Sequence, residues 1–209
     1  MYCRVIRTKL DRNRFEDTLK GLKETLVPTI KKQPGFAGFT ATANRQTGDG
    51  VTVTYWETEK AMQDARPNVM PVAQKFLASV GGELISQDDC EVAVLERFQP
   101  PKVGVAVRMT TVQADPGKVS EGVAAFKQNV VPVIKQQHGA RTAYFFVDRN
   151  AGKVIAGSVW DTPQDLEKSE AAIGSLRQET IRKIGASNPK IESFEIVATE
   201  ILSAAPASR

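Results

Sequence analysis

The chain has 209 residues, enough for one large domain or two of about 100 residues each. Its 41% hydrophobic and 25% charged residues fit an ordinary globular protein with a buried core. Twenty-eight basic and 24 acidic residues leave a net charge of +4 spread along the chain, without the concentrated basic face of a nucleic-acid binder.

In chain order, residues 2–9 alternate as a strand. Asp11 then stands where a carboxylate can cap a helix predicted over about 12–33. Phe15, Leu19, Leu22, Leu26 and Ile30 make one apolar stripe on it, and Gly35 follows its end. Strands at about 36–44 and 50–57 flank NRQTGDG, a hairpin-forming run. A helical region over about 59–80 is expected to break near Pro67 and Pro71, because proline removes a helical hydrogen bond. A strand at about 90–98 closes this half, and QPPK at 99–102 reads as a linker. The second half reads as strands near 103–112, 140–148, 153–161 and 191–202, with helices near 116–138 and 163–185. SAAPASR at 203–209 reads as a frayed tail.

The two halves, 1–98 and 103–202, are copies at an offset of 104 positions. VPTIKKQPG at 27–35 meets VPVIKQQHG at 131–139, with six of nine residues identical. Trp56 falls on Trp160, Arg45 on Arg149 and Gly48 on Gly152. The first helical stripe recurs as Val119, Val123, Phe126, Val130 and Ile134, behind Asp115 and ahead of Gly139. Each half is therefore a ferredoxin-like βαββαβ unit of an α+β fold. Helices cover one sheet face, and the fused pair can close the open faces into an intramolecular dimeric α+β barrel, an internal pseudo-dimer. Further homo-oligomerisation stays open.

No apolar run approaches the roughly 20 residues of a membrane helix, so no membrane partner is expected. MYCRVIRTKL lacks the apolar core and cleavage site of a secretory signal, which makes the cytoplasm the expected location. Cys3 and Cys90 are too few for a disulfide framework or zinc site and read as reduced thiols in strands. One histidine, His138, and no clustered carboxylates leave no metal site in prospect. No GxGxxG, GxxxxGK[ST] or GxSxG pattern occurs.

PGFAGFTATANRQTGDGVTVTYWETEKAM at 34–62 resembles the antibiotic-biosynthesis-monooxygenase (ABM) family. The shared features are a helix ending in PGF, a hairpin, and a strand ending in tryptophan before Glu-Thr-Glu and a helix. HGARTAYFFVDRNAGKVIAGSVWDTPQDL at 138–166 is a looser copy. The resemblance implies a cofactor-independent monooxygenase of a small aromatic or polyketide-like substrate, with the strand-end tryptophan lining its site. The haem-degrading branch carries an asparagine in the first strand and a histidine on the second helix. The strands YCRVIRTK and VGVAVRMTTV have no asparagine, and MPVAQKFLASV and SLRQETIRKI no histidine, so the resemblance does not extend to haem degradation.

Trp56 and Trp160 are the leading candidates for a catalytic site, since an indole beside small residues can wall a pocket for a flat ligand. Both also fit as core aromatics. Thr52 and Thr54 share the Trp56 face, Ser158 shares the Trp160 face, and Tyr55 points the other way; all four are candidate substrate contacts. Arg4 and Arg108, matched on the first strands, either orient a developing oxyanion or pair with Glu91 and Glu195 on the last strands. Arg45 and Arg149 read as solvated turn residues, Tyr144 as a packing residue. The alternatives to an oxygenase are a non-catalytic or stress-related barrel that binds a small molecule, and an assembly module with an exposed apolar patch.

Overall fold

The computed structural model describes residues 1–201, except for the side chains of residues 187 and 188. The first copy runs β1 (Tyr2–Lys9), α1 (Phe15–Gly21), α2 (Val27–Lys31), β2 (Phe36–Asn44), β3 (Asp49–Trp56), α3 (Glu59–Ser79) and β4 (Glu83–Arg97). The second runs β5 (Ala106–Gln113), α4 (Val119–Ala125), α5 (Val131–Gln136), β6 (Ala140–Asp148), β7 (Lys153–Trp160), α6 (Pro163–Lys168), α7 (Glu170–Lys183) and β8 (Ser187–Ile201). The strands hydrogen-bond as a closed barrel in the order β1-β3-β2-β8-β5-β7-β6-β4. The predicted α+β barrel of tandem βαββαβ units is thus the observed fold. No helix among the described residues is long and apolar enough to cross a membrane.

Two compact units emerge, and each takes strand from both copies. The first holds Met1–Asp89 and the end of β8 from Ile196; the second holds Cys90–Glu195. The last strands are the reason. Each has 15 residues, starting well before the predicted 90 and 191. The polar run SQDD inside β4 hides the alternation that marks a strand, and its first residues Glu83, Leu84 and Ile85 are exposed. β5 starts later than the predicted 103, because 103–105 belong to the connection.

The first helical segment of each copy is not one α-helix. Asp11 accepts a hydrogen bond from the Asn13 amide and Asp115 from that of Gly117, opening a short 3₁₀ turn in each. A π-helical turn then separates α1 from α2 at Leu22–Leu26, and α4 from α5 at Phe126–Val130. Pro28 and Pro132 follow these turns. A proline has no amide to give the carbonyl four residues earlier and its ring clashes there, and a wider turn relieves both faults. The stripe survives because Leu22, Leu26 and Ile30 are spaced by four, the longer period that a widened turn needs; all three are buried.

The break expected at Pro67 and Pro71 does not occur: α3 is continuous through both. Both prolines lie on its exposed side, where solvent satisfies the carbonyls they leave open. The matching stretch of the second copy, which has a proline only at its start (Pro163), is the one interrupted. There Ser169, buried between α6 and α7, donates its hydroxyl to the Leu166 carbonyl at 2.7 Å.

Gly35 and Gly139 both hold φ of +74°, as a glycine after a helix end is expected to do. A Cβ on Gly139 would also sit 2.6 Å from the Asp165 carboxyl carbon. Gly139→Ala is therefore expected to lower stability by about 1–3 kcal/mol, read as a lower urea midpoint at unchanged slope.

Candidate functional site

The helix-facing side of the first unit's sheet is laid out in rows by the register of β1, β3 and β2. The rows are Tyr2–Trp56–Phe36, Arg4–Thr54–Phe39, Ile6–Thr52–Ala41 and Thr8–Gly50–Ala43. The first two carry bulk and charge, the last two mostly small residues. Above the small residues stand Phe15, Leu19 and Leu22 of the first helical segment and Val69, Ala73 and Phe76 of α3. They enclose a largely apolar cavity of about 70 Å³.

The same place in the second unit is nearly filled. Its rows are Ala106–Trp160–Ala140, Arg108–Ser158–Ala143, Thr110–Ala156–Phe145 and Val112–Val154–Val147. Ala41 has become Phe145, Gly50 Val154, Ala43 Val147 and Leu22 Phe126. Phe126 and Phe145 pack with ring centroids 5.1 Å apart, and a cavity of about 40 Å³ remains. Two halves with one origin therefore present one roomy site and one reduced site.

Of the candidate residues, Trp56, Thr52, Thr54 and Arg4 line the larger cavity together. Trp56 forms one end, only 2% exposed, edge-on to Phe36 at 5.7 Å. Its indole N–H donates to Thr54 Oγ1 at 3.0 Å, so it is not a free handle for a ligand. Tyr55 lies on the opposite face, paired with Cys3 and Gly38, and does not line the cavity. In the second unit Trp160 is fully buried and donates to Ser158 at 2.8 Å. Neither these two nor Arg108 is among the residues lining the smaller cavity.

Arg4 and Arg108 do not take Glu91 and Glu195 as ion-pair partners. Arg4, 3% exposed, donates Nε to Asp89 Oδ1 at 2.6 Å and Nη2 to Oδ2 at 2.8 Å. Gln63 of α3 closes the group, donating to Asp89 at 3.0 Å and accepting from Arg4 at 3.4 Å. Arg4 Nη1 makes no hydrogen bond among the described residues. Burial pushes the Asp89 carboxyl up, but the hydrogen bonds and charge of Arg4, with Gln63 and Arg66, bring it below the ordinary carboxylate value. Glu91 lies two residues further along β4 and receives Nε of Arg149 at 2.7 Å. Arg149 is thus paired rather than merely solvated. Arg45 likewise covers the Phe15 ring at 4.2 Å and reaches Glu16 at 3.2 Å.

In the second unit the carboxylate has moved from strand to helix. Ser193 stands where Asp89 does, and Glu167 and Glu170 stand where Gln63 and Arg66 do. Arg108 accordingly donates to Glu170 of α7.

The residues that sequence reasoning missed are Asp89, Gln63 and the cavity's small floor. Asp89 hid in a stretch read as loop. The floor was visible in the offset comparison, as alanine and glycine against phenylalanine and valine. His138 stands outside either cavity, its Nδ1 2.8 Å from Asp165. Cys3 and Cys90 are buried and form no disulfide. Among the described residues no group of three or more His, Cys, Asp or Glu is placed to hold a metal ion.

No family model matches the sequence. Two uncharacterised proteins of Mycobacterium tuberculosis H37Rv are similar. One is 24% identical over 86% of this chain and 80% of its own length. The other is 22% identical over 86% and 76%. Among solved structures, a "putative monooxygenase" of Fusobacterium nucleatum superposes with a TM-score of 0.72 at 15% identity, covering 100% of this chain and 97% of that one. An anthrone oxidase-like protein gives 0.66 at 14% identity, covering 99% and 97%. The chain has the ABM-like fold in two fused copies, and identities this low carry the fold and nothing finer.

Proposed function

We propose, from a two-copy ABM-like fold with an apolar cavity in its first unit, that the chain is a cofactor-independent monooxygenase of a small aromatic or polyketide-like substrate. The observation that carries this reading is the apolar cavity over Ile6, Thr52, Ala41 and Gly50, with Arg4 among its lining residues. A flat, electron-rich phenol or anthrone suits such walls.

The chemistry asks the protein to favour the substrate's anion and exclude water. Arg4 can do the first through Nη1, since a cation beside a phenol or enol lowers its pKa. Thr52 and Thr54 add hydroxyls nearby. Asp89, held ionised by Arg4, is a weak base at neutral pH and serves to orient the guanidinium. For an anthrone, the anion passes an electron to O₂ and the two radicals join at the methylene carbon. The peroxide then loses water. The methylene becomes a carbonyl, a four-electron oxidation; one oxygen atom stays and the other leaves as water.

A second reading, storage or transport of the same kind of molecule without turnover, is favoured by one observation: Trp56 N–H and most of the Arg4 guanidinium already have partners. Oxygen uptake with a panel of anthrones and dihydroxynaphthalenes separates the two. Protein-dependent uptake is the expected result. Saturable binding of a panel member without uptake above the blank would replace the oxygenase by the carrier.

A further inference from the structure

The threonines that line the first unit's cavity are not equally occupied. Thr18 donates to the Arg14 carbonyl at 3.0 Å and Thr42 to that of Val51 at 3.1 Å, while Thr54 accepts from the Trp56 indole. Thr8 and Thr52 line the same cavity and make no side-chain hydrogen bond among the described residues.

Thr8 is the more telling of the two. It stands in β1 opposite Gly50 of β3 and is 9% exposed. A Cβ on Gly50 would lie 2.6 Å from Thr8 Oγ1, so the hydroxyl hangs over a floor position that has no side chain to cover it. Its oxygen is not sealed from water, although the residue as a whole is buried. A hydroxyl without a partner in a largely apolar wall is costly. The fold does not demand it, since Val112 holds the matched place in the second unit, 5% exposed and opposite Val154. Ala156 likewise replaces Thr52 there. The polar groups of the first unit follow one another along the sheet: Arg4 in one row, Thr52 in the next, Thr8 in the one after. Four strand residues at about 3.3 Å each put Arg4 and Thr8 roughly 13 Å apart at their Cα atoms.

We infer that Thr8 is a specificity-determining residue, which selects molecules carrying a second oxygen at the end remote from the acidic group. This rests on the reading of the cavity as the substrate site and narrows the class of substrate. The acidic phenol or enol lies at Arg4, the rings cross Ile6, Ala41 and Thr52, and a hydroxyl or carbonyl at the far end meets Thr8. A threonine hydroxyl both donates and accepts, so a phenol and a ketone each suit it. A molecule whose only oxygen is the acidic one leaves the Thr8 hydroxyl facing its apolar edge.

The test compounds are 2,6-dihydroxynaphthalene, with oxygens at opposite ends, and 2-naphthol, which lacks the second one. Their affinities for the full chain are measured by titration calorimetry without oxygen, so that turnover does not enter. The readout is the preference for the diol over the naphthol, in which general changes to the cavity cancel. Thr8→Val is expected to lower that preference by about three- to tenfold, the worth of one hydrogen bond between neutral groups. Thr8→Ser, which keeps the hydroxyl, should keep the preference. Ala41→Phe, which fills the cavity, should bind neither compound. An unaltered preference in Thr8→Val, or the same loss in Thr8→Ser, would overturn the inference and leave the oxygenase reading standing. A preference that Thr8→Val removes, in a protein that takes up no oxygen, would support the inference and sink only the oxygenase. Binding of neither compound by the parent would overturn both.

Discussion

Ala41→Phe is expected to abolish protein-dependent oxygen uptake, by about a hundredfold or more, while leaving the fold intact. The second unit supplies the precedent: Phe145 occupies the matched position, is 1% exposed, and stands in a regular strand. A phenyl ring over Thr52 would occupy the volume that the substrate needs. Inserting bulk into a protein interior commonly costs about 1–3 kcal/mol, but here the ring enters an existing void, so the cost should fall at the low end. Gly50→Val is the poorer choice, because a Cβ there would lie 2.6 Å from Thr8 Oγ1. Uptake by Ala41→Phe at the parent rate, with circular dichroism and thermal midpoint unchanged, would place turnover elsewhere.

Asp89→Ala is expected to cost about 2–4 kcal/mol and to remove uptake as well. The variant leaves the Arg4 guanidinium buried without its counterion, which is worse than having no pair at all. Asp89 is itself 23% exposed, so the loss should stay below that of a fully buried pair. At roughly 2–4 °C per kcal/mol for a chain of this size, the melting midpoint should fall by about 5–15 °C. The double variant Arg4→Met with Asp89→Leu should recover most of the stability, because the charge to be desolvated is gone. It should not recover uptake if Arg4 holds the substrate anion. Stability and activity would then separate between the single and double variants.

The same pair sets an acid limit. The Asp89 carboxyl in the folded protein lies below its ordinary value of 3.8. The unfolded chain therefore takes up this proton first as pH falls. The contribution is full above the ordinary value and is lost as pH drops through the lower folded one. Below about pH 4, Asp89→Asn should show a flatter fall in stability than the parent, measured by urea unfolding at stepped pH. Equal slopes would mean that the ion pair is too well solvated to matter.

The repeat, the strands and the barrel were legible because they rest on period-two alternation repeated at a fixed offset. β2 and β6 are found where the alternation put them. The long starts of β4 and β8 were not legible, since an exposed strand has no buried face to impose a pattern. The continuity of α3 through Pro67 and Pro71 was misread because proline's cost depends on which side of the helix it faces. For the site, Thr52 and Thr54 were found by alternation from Trp56, and Arg4 by its match to Arg108 across the repeat. The cavity itself was not, because the Phe15–Ile30 stripe that roofs it is also what a filled core would show. The exchanges of Phe36 for Ala140 and Phe39 for Ala143 are a poor guide to where the space lies. The exchanges that matter, Ala41 to Phe145 and Gly50 to Val154, run the opposite way.

The partition of the long strands has a consequence for anyone dividing the gene. A cut at QPPK leaves the first product carrying Cys90–Arg97, a segment that belongs to the other compact unit, and deprives it of the strand end that begins at Ile196. Neither product is then a self-sufficient fragment. Each exposes a ladder of unmatched amides and carbonyls that its sibling is shaped to accept. Co-expressed, the two pieces make a complementation pair whose reassembly can be read in cells, and expressed singly they are candidates for aggregation.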